Sequence, residues 1–307
     1  MKTVRLAQIG LGAWGKNIEK TLRALPGCTL AYTAAEDWRE LLEKKDIDGA
    51  VIATPPATHA VIALPFLERG LPVFIEKPMT GSLKDALAIK AAARASGAPV
   101  MVGHLHLYSP AYRKTKELAR DTGNIQLIVS RGHNKGPYRS DYSAMWDWAP
   151  HALSMILDIV GEMPAAVSAW GVSPTRPGSN LWDFAQIKLD FAGGMTAFVT
   201  SSWLMPTKCK QLTVVGEKKS LVYEDTKLEN KISLYEDKEV SYPGYGVEMP
   251  LTEELAAFVR MVAEKPFDSA QGKEKPLSGL EEGLNVIRIL DAAERSIAAG
   301  GATVGLL

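Results

Sequence analysis

The stretch Val4-Arg5-Leu6-Ala7-Gln8-Ile9-Gly10-Leu11-Gly12-Ala13-Trp14-Gly15 decides the fold of the first part of the chain. A short, largely apolar run stops at three glycines in the spacing G-x-G-x-x-G, and residues 16–25 then read as a helix. Strand, glycine turn and helix in that order form a phosphate-binding turn. Gly10 permits the tight bend, Gly12 lets the backbone approach a pyrophosphate, and Gly15 lets helix and strand pack closely. The helix N-terminus then faces the phosphates with N–H groups that have no partner inside the helix.

The segments that follow repeat the same alternation. Residues 29–33 read as a strand, and an acid about 20 residues past the glycines is expected to hold the ribose hydroxyls. No acid stands at that strand's end. Glu36 or Asp37 is near the right distance, although Asp37 equally suits the first turn of a helix running through Trp38, Leu41 and Leu42 to Lys45. Residues 48–53 form a buried-strand pattern ending in Thr54-Pro55-Pro56-Ala57-Thr58-His59. A helix over 60–69 and a strand over 71–75 lead to Glu76-Lys77-Pro78. A second helix over 83–95 and a strand over 100–102 lead to Gly103-His104. Such alternation predicts a parallel sheet with helices on both faces. Ligands then lie beyond the carboxyl ends of the strands, where Gly10, Thr54, Glu76 and His104 all fall.

Past a basic helix over 110–119 the grammar changes. Residues 125–131, 166–172, 185–191, 195–202, 211–215 and 220–223 read as consecutive strands, several separated by turn signals such as Ala192-Gly193-Gly194. This predicts a mostly antiparallel open sheet and an α+β domain. Helices are expected over 252–263 and 279–299, with a polar loop over 268–275 between them. The fold class is therefore α/β plus α+β. A Rossmann-type dinucleotide-binding domain over residues 1–121 precedes a substrate-binding and oligomerisation domain over residues 122–307, whose last helices are available to pack back on the first.

Composition narrows the function. Lysine plus arginine and aspartate plus glutamate balance at 35 each, so no global field draws the chain to nucleic acid or an anionic membrane. No apolar run approaches the ~18 to 20 residues that span a bilayer, and no leader-like segment opens the sequence. Cys28 and Cys209 lie far apart and outside any metal-binding spacing, which suits a reduced, cytoplasmic protein without a metal.

Two elements carry chemistry. Trp146-Asp147-Trp148-Ala149-Pro150-His151 puts an acid and an imidazole four residues apart at the mouth of an apolar helix over 152–160, and such a pair exchanges protons with a bound hydroxyl. Lys77 lies between a buried-strand pattern and a proline, an unusual place for a solvated lysine. Trp146 and Trp148 suit a wall for a sugar face or plain core equally. Arg131, Asn134, Tyr138 and Arg139 form a polar, partly basic cluster that would receive a diphosphate or carboxylate, or else line a solvated loop.

The succession G-L-G-A-W-G-K-N, V-I-A-T-P-P-A-T-H, E-K-P and W-D-W-A-P-H resembles the glucose-fructose oxidoreductase / inositol dehydrogenase (Gfo/Idh/MocA) family, over nearly the whole chain. Within it, V-G-H-L-H-L-Y-S-P-A-Y-R-K and N-K-G-P-Y-R-S-D are most similar to nucleotide-sugar dehydrogenases of the UDP-N-acetylglucosaminuronate 3-dehydrogenase type. The resemblance implies an NAD(P)-dependent oxidoreductase moving hydride between nicotinamide and a secondary hydroxyl or ketone of a sugar, with a nucleotide sugar as substrate. It implies NAD as cofactor, NADP being the alternative. Cofactor contacts would fall on Gly10, Gly12, Ala13, Trp14, Gly15, Thr54, Pro55, His59, Glu76, Lys77 and His104. Catalysis would fall on Lys77, Asp147 and His151, and substrate contacts on Asn134, Tyr138, Arg139, Trp146, Asp147 and His151.

One departure stands out. Between the glycine turn and Glu-Lys-Pro the chain is roughly 20 residues shorter than the family pattern, about one strand-helix unit. Either the second strand and its helix are missing and residues 29–33 serve as the third strand, or the two are condensed. This shortening motivates one rival reading, a non-catalytic sugar or nucleotide sensor on the same fold, and redox-neutral glycoside chemistry with a retained NAD is a further alternative. The bare face of the antiparallel sheet predicts a homodimer or homotetramer.

Overall fold

The computed structural model describes residues 3–35, 37–264 and 276–306. The chain divides into two compact units, Met1–Tyr108 with Glu248–Ile287, and Ser109–Val247 with Arg288–Leu307. Among the described residues, no helix is long and apolar enough to cross a membrane.

The first unit is built on five parallel strands, β1 (Val4–Ile9), β2 (Cys28–Ala34), β3 (Gly49–Ile52), β4 (Val73–Glu76) and β5 (Val100–Gly103), in the order β2-β1-β3-β4-β5. Every residue of β3, β4 and β5 is buried, as strands covered on both faces must be. The helices of this part are α1 (Ala13–Ala24), α2 (Pro56–Glu68) and α3 (Leu83–Ser96), and α1 buries Gly15, Ile18 and Leu22 along one stripe. The Ser82 hydroxyl caps α3 by accepting from the Asp85 N–H at 3.1 Å, and Gly97 ends it at φ +69°. Phe258 of a later helix, α6 (Pro250–Ala263), meets Phe74 of β4 edge-on at 5.7 Å, so α6 returns to cover this sheet.

The shortened region takes a definite form. Strand β2 pairs directly with β1 in parallel, so residues 29–33 belong to the second strand and not to a third. The helix expected through Trp38 to Lys45 is instead a 3-10 turn, Arg39–Glu43. Trp38 and Leu41 are the buried residues there, three apart, a spacing that a single tight turn satisfies. Trp38 lies 6.3 Å from Phe66 of α2, and Asp46 and Asp48 tie the return to Arg5. Glu36 and the loop expected over 268–275 lie outside the described residues.

The second unit holds an eight-stranded sheet. Its strands are β6 (Ile125–Lys135), β7 (Ala166–Val172), β8 (Phe184–Asp190), β9 (Thr196–Ser202), β10 (Leu204–Gly216), β11 (Lys219–Glu224), β12 (Ile232–Glu236) and β13 (Glu239–Ser241). The order is β13-β12-β11-β10-β6-β9-β8-β7, with β6 and β9 parallel and every other pair antiparallel. The last two strands were not expected. They form a short hairpin in which Asp237 adopts φ +50°, and β13 is exposed throughout, so apolar alternation gave no sign of it.

Helix α4 (Pro110–Ala119) is as the sequence predicts, but α5 (Ala144–Val160) begins at Ala144 and not at residue 152. Ser143 caps it, its hydroxyl accepting from the Trp146 N–H at 3.4 Å. Pro150 sits inside the helix, where it removes one backbone donor without ending the element. Asp147 and His151 therefore both lie inside α5, about one turn apart. The final helix, α7 (Leu280–Ala298), closes through Gly300 and Gly301, both with positive φ.

Gly10 has φ +97°, and a Cβ there would lie 2.3 Å from the Ala53 carbonyl oxygen, whereas a Cβ on Gly12 meets nothing within 4 Å. Gly10→Ala is expected to destabilise the fold by about 3 kcal/mol through strain and overlap. Gly12→Ala, at φ −64°, should stay within about 1 kcal/mol of the parent in urea unfolding. Equal stability of the two variants would contradict this account of the turn.

Candidate active site

The carboxyl ends of β1, β3, β4 and β5 bring most of the expected cofactor residues to one edge of the first sheet. Gln8, fully buried in β1, donates from Nε2 to the carbonyls of Gly10 at 3.1 Å and Gly15 at 2.7 Å, and so clamps the glycine turn from beneath. A Cβ on Gly15 would lie 2.2 Å from the Gly10 oxygen, so only glycine fits there. Helix α1 starts at Ala13 with no side-chain cap and no acid in its first turn. Its leading N–H groups and the open space over Gly12 suit a pyrophosphate.

Trp14, two-fifths exposed, spans from this turn to the next element: its indole N–H donates to Glu76 Oε1 at 2.6 Å. The Lys77 backbone N–H donates to Glu76 Oε2 at 3.1 Å. A Cβ on Gly103 would lie 3.0 Å from the Glu76 carboxyl carbon, so the carboxyl packs over the end of β5. Burial pushes the Glu76 carboxyl up to about 7, against the Trp14 hydrogen bond and the Lys77 charge, which favour its ionised form. The Lys77-Pro78 peptide is cis.

Two histidines of this region differ. His59 is fully buried, with Nε2 2.7 Å from the Thr54 carbonyl and Nδ1 3.1 Å and 3.3 Å from those of Pro78 and Met79. Burial holds its pKa below the usual imidazole range. The ring thereby links the turn after β3 to the turn after β4. Thr54 also accepts from the Thr58 hydroxyl at 2.8 Å, and Pro55 is the N-cap residue just before α2. His104 is fully buried, and neither ring nitrogen has a hydrogen-bond partner among the described residues. Burial first, then the charges of Lys77 and His106, lower its pKa to about 3, so it is neutral at working pH.

In the second unit the Trp-Asp-Trp-Ala-Pro-His turns are braced by indoles. Asp147 Oδ2 accepts from Trp203 Nε1 at 3.2 Å. Glu294 of α7 accepts from Trp146 Nε1 and Trp182 Nε1, each at 2.9 Å. Trp203 is fully buried and flanked by the rings of Tyr138 and Tyr142, each at 6.3 Å, with the Arg176 guanidinium 5.7 Å from its centroid. Burial, aided by the Asp147 charge, pushes the Tyr142 phenol up to about 12. Arg139 lies 5.8 Å over the Tyr142 ring.

Gly132 of β6 lies against Trp148, where a Cβ would come within 3.0 Å of the indole. Strand alternation puts Asn134 on that same face and Arg131 on the opposite one, which divides the polar cluster read from the sequence. Asn134 Oδ1 and Trp148 Nε1 are buried and have no partner among the described residues, one an acceptor and the other a donor.

Three polar residues of these sites, Gln8 and Glu254 fully buried and Glu294 half-buried, escaped the sequence reading. Gln8 left a trace, an amide within a buried-strand run. Glu254 and Glu294 left none, because an acid within an amphipathic helix reads as solvated until tertiary packing buries it.

Residues 9–104 match the signature described as "Oxidoreductase family, NAD-binding Rossmann fold", and residues 112–222 match the "GFO/IDH/MocA C-terminal domain". The scyllo-inositol 2-dehydrogenase (NAD(+)) of Bacillus subtilis is 31% identical over half of each chain. Inositol 2-dehydrogenase 2 of Paenarthrobacter aurescens is 24% identical over 98% of each. The alignments with the Bacillus subtilis dehydrogenase and with an uncharacterised oxidoreductase of that organism span about half the length of each relative. A crystal structure described as an oxidoreductase from Magnetospirillum magnetotacticum MS-1 superposes with a TM-score of 0.83 at 33% identity, covering 95% of this chain and 99% of that one. An inositol dehydrogenase homologue complexed with NAD+ from Azotobacter vinelandii shares the fold, with a TM-score of 0.87 at 19% identity over 99% and 97% of the two chains. With both of its domains matched in order, the chain belongs to the Gfo/Idh/MocA oxidoreductase family.

Proposed function

We propose that the protein is an NAD(P)-dependent oxidoreductase acting on a secondary hydroxyl, or the matching ketone, of a polyhydroxylated ring. The observation that carries this reading is the uncapped start of α1 behind Gly12, joined through the Trp14 indole to the Glu76-Lys77 pair. When bound, a nicotinamide dinucleotide supplies the hydride acceptor or donor. Ala13 and Trp14 offer their N–H groups to the diphosphate, and Thr54, Pro55 and His104 lie along the same edge of the sheet. His59, engaged by backbone carbonyls, fixes the shape of that edge.

Lys77 of the first unit supplies an amine and His151 of the second an imidazole, each a group suited to holding and moving the proton of a reacting hydroxyl. Asp147, held by Trp203, accepts from a neighbouring hydroxyl. Asn134 and Trp148 add an acceptor and a donor, the pair that vicinal hydroxyls complete. The names of the inositol dehydrogenase relatives support a cyclic polyol or sugar. A nucleotide sugar is the narrower reading, in which Tyr138 and Arg139, both exposed, meet the diphosphate and Trp146 shapes the sugar pocket. NAD is the first choice of cofactor, as the name of the matched NAD-binding domain supports, and NADP stays the second because β2 ends in Ala34 without the acid that holds a ribose 2′-hydroxyl and repels a 2′-phosphate.

A homo-oligomer completes the reading. The face of the eight-stranded sheet opposite Trp148 carries Leu127, Val129, Phe198, Val215 and Val222, all half-buried, and a second copy would cover them. Sedimentation at micromolar concentration should give a dimer or tetramer, and a monomer alone would refute this. In reductive and oxidative assays over cyclitols, free sugars and nucleotide sugars, Lys77→Ala and His151→Ala should each lower kcat by ~100-fold or more with the fold intact. Parental turnover in both variants, or no nicotinamide turnover with any of these substrates, would remove the assignment.

A further inference from the structure

Glu254, in the first turns of α6, is an acid that the proposed chemistry does not use. Its side chain is fully buried, and neither carboxylate oxygen has a hydrogen-bond partner among the described residues. It lies one turn before Phe258 on the same face of α6, and Phe258 meets Phe74 at 5.7 Å, two residues before Glu76 on the same face of β4. The two acids thus approach each other, and charge on one disfavours charge on the other. Glu76 is its opposite in solvation by the protein, accepting from the Trp14 indole and the Lys77 backbone. Two carboxyls buried together cannot both ionise, so they retain at least one proton. The proton stays on the acid without donors, Glu254, and the charge appears on Glu76.

The groups around the pair leave Glu76 as the one that changes state. Lys77 follows it directly and is the adjacent cation. Tyr108, which faces Glu254, hydrogen-bonds Ser278 at 3.2 Å, and burial keeps its phenol protonated. His104 and His106 stand at the end of β5, the former neutral. Trp14 brings no titrating group. The same Trp14 belongs to the turn proposed to hold the pyrophosphate, so Glu76 lies on the edge along which the dinucleotide runs.

We propose that Glu76 and Glu254 form a one-proton acid pair that links proton release to the oxidation state of the bound dinucleotide, Glu76 changing charge while Glu254 stays protonated. The inference rests on the dinucleotide reading given above. The oxidised and reduced cofactors carry the same pyrophosphate and differ by one positive charge on the nicotinamide ring. The cationic ring favours ionised Glu76, whose O–H bond then breaks with the proton passing to buffer. The neutral ring lacks that effect and leaves the carboxyl at the proton occupancy it has in the free protein. Since the Glu76 carboxyl sits at about 7, the difference is largest near neutral pH and vanishes well above it, where Glu76 is already ionised.

Calorimetric titrations of the full-length protein with NAD+ and with NADH, each in buffers of different ionisation enthalpy, count these protons. Near pH 7, NAD+ binding should release about half a proton more than NADH binding, falling to near zero by about pH 9. Glu76→Gln should abolish the difference, and Glu254→Gln should keep it. Saturable binding with the same proton count for both cofactors overturns the inference while leaving the dinucleotide reading intact. A difference that survives Glu76→Gln, or is lost in a folded Glu254→Gln variant, also overturns it. Absence of binding by either cofactor removes both readings together.

Discussion

The hydrogen bond from the Trp14 indole to Glu76, 2.6 Å long, ties the glycine turn to the Glu-Lys-Pro segment. Those pieces are 62 residues apart and meet because β1 and β4 run in the same direction with β3 between them. Parallel strands bring all their carboxyl ends to one edge, so each following turn adds a functional group to the same crevice. Gln8 fixes the glycine turn, His59 fixes the turns after β3 and β4, and Trp14 joins the two assemblies. The edge is thus held by two buried polar side chains, Gln8 and His59, whose partners are backbone carbonyls, and by the two-fifths exposed Trp14, whose partner is a carboxylate.

The buried and half-buried acids of the molecule differ in how donors and neighbouring charges offset the cost of burial. Asp183 is fully buried, but Thr175 and Arg176 supply hydrogen bonds and a charge that outweigh desolvation and keep its carboxyl below the usual range. Glu294, with two indole donors and no cation, is raised by burial. Glu76, with one indole and one backbone donor, reaches about 7. Glu254, with none, is raised well above its ordinary value, first by burial and then by the Glu76 charge. The same physical balance thus fixes permanent charge at a structural brace and leaves a carboxyl near neutrality beside the lysine proposed to be catalytic.

The first sheet was legible because strand, glycine turn and helix form a local signal, and because buried parallel strands read as unbroken apolar runs. The Trp-Asp-Trp-Ala-Pro-His segment was legible as chemistry but not as helix: the sequence reading puts it at the mouth of a helix starting at residue 152, while Ser143 caps a helix that starts upstream of it. The region after β2 was misread because Trp38 and Leu41 fit both a helical stripe and a single tight turn, and only the short return to β3 selects the turn. Strand β13 escaped since an exposed edge strand needs no apolar alternation. Contacts such as Glu76 with Glu254 are not legible at all, because a long-range pairing between two acids leaves no pattern along the chain.

The central claim is that residues 10–15 and 76–79 form one surface for a nicotinamide dinucleotide. Hydrogen-exchange mass spectrometry of the intact protein with and without NAD+ tests it directly, since a ligand held by both segments damps the opening of each. The account predicts that exchange slows in both segments at the same cofactor concentration. Protection in neither, or in one segment without the other, would contradict it.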